Sequence, residues 1–347
     1  MSEGSPLAGL DPLAGLDPLA LFACAGTPRV ALVAVSGGPD SMALLHLAAL
    51  WRDRGGPQIH AATVDHGLRP GSRAEAEAVA QWAAALKIPH AILTWTGERP
   101  KARVQELARA ARYRLLVDRA ENIGAEVLLT GHHGDDQAET VLFRLLRGSG
   151  VAGLAAMAPV SQRAGLRLVR PLLDLSKADL IAHCQALGQA FFQDPSNRDP
   201  RYARTNLKKV MADLAAQGLG RDELLRLGRR AARADEALRA YVESLRTSIG
   251  PIVKEDSFEC AAGSLRQVPM EALLRILEVE ITRIGDAAPR LDRLESLTAG
   301  AQAAIASGAG FRASLAGALV SVTPAGRLLV VKAPPRRQKG SGPDPEA

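Results

Sequence analysis

The sequence predicts an α/β fold: a doubly wound, mostly parallel sheet, then a helical connector and a small α+β C-terminal domain. Three observations carry this. Short runs rich in Val and Ile alternate with longer Ala- and Leu-rich stretches of helical period from Val30 onward. Gly, Pro and Asp clusters stand at the strand-to-helix junctions. Beyond Gly148 the alternation fades, and the chain turns to charged helical text and then to a hairpin signal.

Residues 1–26 contain a short tandem repeat, Ala8–Leu13 copied as Ala14–Leu19, and read as a flexible leader. Val30–Val35 is an apolar strand, followed by a Gly/Pro/Asp turn and a helix over Ser41–Trp51. Ile59–Val64 reads as a second strand ending at Asp65-His66-Gly67, and Arg73–Leu86 as a helix. His90–Trp95 is a third strand, Val104–Asn122 a long helix, and Glu126–Thr130 a fourth strand that runs into a helix from Asp135. Strands alternating with helices imply a parallel sheet covered on both faces, with ligands beyond the carboxyl ends of the strands. Leu172–Gly188 reads as helical after an Asp174-Leu175-Ser176 start, 194–204 as a polar loop and Asp213–Leu245 as a charged helix. Glu271–Ile284 is amphipathic, and Leu319–Val322 with Leu328–Val331 forms a hairpin around Pro324-Ala325-Gly326. The expected divisions are a leader over 1–26, a catalytic domain over 27–211, a connector with a small domain over 212–333, and a disordered tail over 334–347.

Among the 347 residues, 47% are apolar and only 3% aromatic, which fits a globular core of Ala, Leu and Val and excludes a disordered chain. The net charge of +6 favours a polyanionic partner, although solubility alone accounts for a modest excess. Cys24, Cys184 and Cys260 share no metal-ligand or redox spacing. No apolar run is long enough for a membrane helix and the start lacks a signal-peptide pattern, so the expected setting is the cytoplasm.

Ser36-Gly37-Gly38-Pro39-Asp40-Ser41 joins the first strand to its helix. Its glycines let backbone N–H groups approach an anion at the helix N-terminus, while hydroxyls add donors. No lysine follows the glycines, so this is not the Gly-Lys-Ser/Thr loop of other nucleotide-binding proteins. The plainer alternative is a Gly-rich turn with a serine cap. Gly131-His132-His133-Gly134-Asp135-Asp136-Gln137-Ala138-Glu139-Thr140 gathers two imidazoles and three carboxylates at a strand-to-helix junction. Zinc is one alternative there, although adjacent histidines point different ways and zinc motifs use helical spacing. An acid-capped helix start would explain Asp135 and Asp136 alone. On a helix from Asp135, Asp136 and Glu139 share a face, where two carboxylates call for an ammonium group or magnesium between them.

These motifs resemble those of the bacterial tRNA(Ile)-lysidine synthetases within the PP-loop N-type ATP pyrophosphatases, a Rossmann-like class. The Ser36–Ser41 run is similar to the PP-loop, and His132-His133-x-x-Asp136-x-x-Glu139-Thr140 is similar to the family's His-His-x-x-Asp-x-x-Glu-Thr signature. Further matches are Arg109-x-x-Arg112-Tyr113, Arg144–Gly150, Arg170–Leu173 and Asp194–Asn197, so the likeness spans about Val30 to Lys209. The family usually writes Arg-Asn-x-x-Arg where this chain has Arg204-Thr205-Asn206-Leu207-Lys208. The resemblance implies ATP bound by Ser36, Gly37, Gly38, Pro39, Asp40, Ser41, Asp65 and His66, with magnesium at Asp40. It implies L-lysine held by Asp136, Glu139 and Arg204, and catalysis by Asp40, Arg112, Asp136 and Glu139. It also implies a tRNA(Ile) with a CAU anticodon on Arg144, Arg147, Arg201, Arg204 and Lys208. A homodimer is left open. A thiolating PP-loop enzyme, the nearest rival, delivers sulfur through a Cys-x-x-Cys pair or an iron–sulfur cluster, and this chain has no such pair.

Overall fold

A computed structural model describes residues 11–67, 71–96, 104–192 and 203–334, with the side chains of 104–106, 203–206 and 208 outside that description. The chain divides into two compact units, 1–231 and 232–347.

The first unit opens with α1 (Pro18–Leu21), β1 (Val30–Ala34), α2 (Pro39–Asp53), β2 (Gln58–Asp65), α3 (Ser72–Ala85) and β3 (His90–Thr94). It continues with α4 (Val104–Asn122), β4 (Val127–Leu129), α5 (Gly134–Leu146), α6 (Val151–Leu154), β5 (Val160–Arg163) and β6 (Leu166–Val169). Helices α7 (Lys177–Ala186), α8 (Ala203–Ala216) and α9 (Arg221–Ile249) follow, the unit division falling within α9. The sheet order is β3-β2-β1-β4-β6-β5, parallel throughout except for the edge strand β5. Parallel strands are covered on both faces, and the side chains sort accordingly. Ala31, Val33, Val127 and Leu129 join the α2 and α7 side, whereas Leu32, Ala34 and Leu128 join Leu116 and Val117 of α4.

The leader is packed rather than flexible over its described part. Phe22 is fully buried, its ring stacked on Trp51 of α2 at 4.5 Å and 2°. Asp11 meets the buried His183 Nδ1 at 2.9 Å, tying the leader to α7. An aromatic ring and an acid hidden in repetitive text explain why composition alone suggested disorder. Replacing Phe22 with Ala should cost about 3–5 kcal/mol, because the ring cannot be refilled from solvent without leaving a cavity. Urea unfolding followed by tryptophan emission would check it, and a loss below about 1 kcal/mol would show that the leader contributes nothing.

One other expectation is corrected, and one hairpin is new. The helix expected after the Asp174-Leu175-Ser176 start begins at Lys177, where Ser176 caps it by accepting from the Asp179 amide in a capping box. The charged stretch Asp213–Leu245 is two helices, broken where Gly218 adopts φ +90°, a conformation that ends α8. The β5–β6 hairpin was not anticipated. Its turn, Ala164-Gly165, has both φ values positive, and alanine there is a weak sequence signal.

The second unit pairs a five-stranded antiparallel sheet, β7 (Ile252–Lys254), β8 (Ser257–Ala261), β9 (Phe311–Leu315), β10 (Ala318–Val322) and β11 (Arg327–Lys332), with α10 (Met270–Ile284) and α11 (Leu291–Ser307). Its core is built on Phe258, Leu273, Ile276, Leu277, Val320 and Leu328. Glu280, fully buried, is neutralised by Arg246 at 2.7 Å and Arg283 at 2.7 Å. No helix among the described residues is long and apolar enough to cross a membrane.

Candidate active site

Strands β2, β1 and β4 are consecutive neighbours, so their carboxyl ends bring Asp65-His66, the Ser36–Ser41 loop and the Gly131–Glu139 run side by side. The sheet edge is where a parallel α/β fold binds its ligand. Gly131 is so close to the loop that a Cβ would stand 3.0 Å from the Asp40 carbonyl oxygen and 3.2 Å from the Ser41 nitrogen. Gly37, at φ +81°, would drive a Cβ to 2.8 Å from the Phe192 ring. Gly131 is thus required for the two runs to meet, and Gly37 for the loop to pass beneath Phe192.

Within the loop, Gly38 caps α2 with Pro39 at its start. Ser41 is buried, donates to the Gly38 carbonyl at 3.0 Å and accepts from the Ser36 amide at 3.1 Å. The expected role of Ser41 as a donor to ligand is therefore corrected: its hydroxyl proton shapes the loop. Ser36 stays exposed. Asp65 accepts from the Gly67 amide at 2.9 Å and the Ser72 hydroxyl at 2.7 Å, which fixes the turn carrying His66. Those bonds hold the Asp65 carboxyl below its ordinary value. His66 packs edge-on against Trp95, its Nδ1 buried. Burial is the main cause that lowers both His66 and His132, and the nearby charge of Arg112, on α4, adds to it.

His133 joins the two runs. Its Nε2 lies 3.5 Å from Asp40 Oδ2 and 3.5 Å from Asp136 Oδ2, and its Nδ1 lies 3.6 Å from Asp135 Oδ2. Burial opposes its charge, but these carboxylates outweigh burial and push its pKa up to about 9. Asp135 falls to about 2, chiefly through His133. An opposite pull exists: the Asp135 and Asp136 amides approach Nδ1 at 3.2 and 3.4 Å, which suits a neutral, accepting nitrogen. Three carboxylates at ion-pair distance outweigh two long amide contacts, so His133 is an imidazolium. Its neighbour His132 is the reverse: half-buried, bonded to the Thr130 hydroxyl at 2.9 Å and pushed down to about 4, chiefly by desolvation.

The expected consequence is a pH window. A group raised from about 6.5 to about 9 contributes stability fully below pH 6.5 and loses it as pH climbs through 9. Carbon-13 and nitrogen-15 NMR of labelled histidine should find one imidazole titrating near 9; titration of His133 near its ordinary value would mean that the amides hold Nδ1 as an acceptor.

Two cations that the sequence analysis missed complete the cluster. Lys177 Nζ lies 3.3 Å from Asp40 Oδ2, and its backbone amide donates to Asp135 Oδ2 at 2.8 Å. Arg221, at the start of α9, lies 3.6 Å from Asp135 Oδ2. Neither belongs to a motif, and 137 residues separate Lys177 from Asp40, so only the fold could reveal the pair. Burial pushes the Asp40 carboxyl up, but His133 and Lys177 outweigh it and its pKa ends below the ordinary value. Asp40 Oδ1 is buried and bonded to nothing among the described residues.

Asp136 closes the capping box of α5 by accepting from the His133 amide at 3.2 Å, and Glu139 stands half-buried on the next turn. Arg204 lies in the first turn of α8, whose Leu207 packs with Ala138, Val141 and Leu142 of α5. The side chains of Arg204 and Lys208, and all of Arg201, lie outside the described residues. Arg147 is exposed and laid over the Phe143 ring at 4.1 Å. Arg144, half-buried, donates through Nη1 to the carbonyls of Gly153 at 2.6 Å and Ala156 at 3.1 Å, holding the α6 loop. No set of three or more His, Cys, Asp or Glu side chains among the described residues is arranged as a metal cluster, and Cys24, Cys184 and Cys260 are free.

A strand-to-helix loop built on Gly37 and Gly38 and buttressed by Gly131, at the switch in strand order between β1 and β4, defines a PP-loop protein. The family model of the ATP-binding PP-loop domain matches residues 19–214. The chain is 45% identical over 339 residues to the tRNA(Ile)-lysidine synthase of Bradyrhizobium sp. strain BTAi1, covering 92% of this chain and 94% of that one. It is 48% identical over 313 residues to the enzyme of the same name from Methylobacterium nodulans, covering 88% and 91%. The chain belongs to the tRNA(Ile)-lysidine synthase family. The fold is also shared with the U34-tRNA thiolase of Methanococcus maripaludis, at TM-score 0.52 and 15% identity over 62% of this chain and 78% of that one.

Proposed function

We propose that the protein uses ATP to adenylate the carbon 2 oxygen of the wobble cytidine in tRNA(Ile) bearing a CAU anticodon. The ε-amine of free L-lysine then attacks carbon 2 and displaces AMP, leaving lysidine, so that the anticodon reads AUA in place of AUG. The observation that carries this reading is His133, whose Nε2 lies 3.5 Å from Asp40 on the phosphate side and 3.5 Å from Asp136 on the α5 side. A nucleotide site and a site for a cationic amine thus share one wall.

The geometry supports the following division of labour. The backbone amides of Gly37, Gly38 and Asp40 at the α2 N-terminus cradle phosphate, with the Ser36 hydroxyl as an added donor. Asp65 and His66 border the nucleoside side. Asp136 and Glu139 hold the lysine ammonium and take the proton it must lose, since only the neutral amine attacks. Arg112 supplies positive charge as the α-phosphorus is attacked. Magnesium fits at Asp40: Oδ1 is a buried hard oxygen without a partner, and the ion would offset triphosphate charge there. Arg147, Arg201, Arg204 and Lys208 are assigned to RNA, Arg204 also to lysine. The substrates place the reaction in the cytoplasm.

The test is mass spectrometry of nucleosides from CAU-anticodon tRNA(Ile) treated with protein, ATP, magnesium and lysine. The reading requires one cytidine to gain a lysine, only when ATP is present. A cytidine that stays unmodified while pyrophosphate is released would assign a different nucleophile.

A further inference from the structure

The loop Ser36–Ser41 contains no lysine, yet a triphosphate needs positive charge beyond backbone amides. We propose that Lys177 is the phosphate-facing cation of this PP-loop, delivered from the N-terminus of α7 to the β- and γ-phosphates of ATP. The proposal rests on the reading of the site as an ATP site.

Four observations support it. Lys177 is the first residue of α7, and its amide is pinned by Asp135 Oδ2 at 2.8 Å, so its backbone is fixed whatever its side chain does. Its ammonium reaches Asp40 Oδ2 at 3.3 Å, directly beside the loop. Its side chain is 42% exposed, so the head borders open space and is not sealed in a structural ion pair. Asp40 Oδ2 is also held by His133, so Asp40 keeps one cationic partner when Lys177 turns to phosphate. An ammonium has three donors on a flexible stem and can keep a contact with Asp40 while donating to phosphate oxygens. No proton leaves Lys177 in the reaction. The bond between the α-phosphorus and its bridging oxygen breaks, the cytidine oxygen bonds to that phosphorus, and pyrophosphate departs with the electron pair while Lys177 donates hydrogen bonds to it.

The test compares binding of a non-hydrolysable ATP analogue and of AMP, by calorimetry at fixed magnesium, for the native protein, Lys177→Met and Lys177→Arg. A lysine facing the outer phosphates predicts that the Met variant binds the analogue about 10-fold or more weakly with AMP affinity unchanged, and that Arg restores most of the difference. Analogue affinity unchanged in the Met variant, or both affinities falling together, overturns the proposal in favour of a purely structural pair with Asp40. A lowered melting midpoint in the Met variant that parallels the binding loss overturns it likewise. Native tRNA modification, measured separately, reports on the proposed reaction and not on Lys177.

Discussion

Changing Glu139 to Ala should lower the attachment of lysine to tRNA by about 10²–10⁴-fold, the range expected when a positioned proton acceptor is lost. Glu139 lies one turn beyond Asp136 on α5, a spacing that puts both carboxylates on one helix face. Asp136 is already engaged by the His133 amide and ring, and so is held in place by the capping box. The proposed function makes Glu139 the second carboxylate for the incoming amine. Because the first half of the reaction needs no amine, ATP-dependent adenylation of the tRNA should persist in the variant and lysine transfer should not. The measurement is single-turnover formation of adenylated tRNA against formation of lysidine. Equal loss of both steps would move Glu139 to the nucleotide side and contradict this division.

Asp40→Asn should slow pyrophosphate release by about 10²-fold, on the scale of removing one preorganised electrostatic contact. The same change carries a second signature. Asp40 is among the carboxylates that hold the His133 pKa at about 9, so its neutralisation should move the His133 titration to lower pH. Stability that the native protein retains until pH rises through 9 would then be lost earlier on the alkaline side. A pH profile of the melting midpoint for the two proteins checks this. An unmoved His133 titration would show that Asp135 and Asp136 alone set its charge.

The parallel sheet was legible because each of its first four strands is an apolar run that closes on a polar cluster, and those clusters fall at the carboxyl ends where the fold gathers ligands. Val104–Asn122 matches its helix end to end. Both unforeseen hairpin turns, Ala164-Gly165 and Ala316-Gly317, place alanine at positive φ, where Asn or Gly would have announced the turn. The site was readable in its carboxylates and glycines, which lie in contiguous runs. Its cations were not: Lys177 and Arg221 act from 42 and 86 residues beyond Asp135, as ordinary helix-start residues that gain meaning only when α7 and α9 fold back onto α5. The opposed charge states of His132 and His133 could not be read either, since one ring meets a nest of carboxylates and the other is kept neutral chiefly by burial.

The central claim is that one wall of this site hands an activated cytidine to lysine. Incubation with radiolabelled lysine, magnesium and CAU-anticodon tRNA(Ile), with and without ATP, tests it most directly. The account predicts acid-precipitable label that requires ATP and is absent when the anticodon lacks cytidine at the wobble position. Label that is independent of the anticodon, or no label while tRNA-stimulated pyrophosphate release continues, would contradict it.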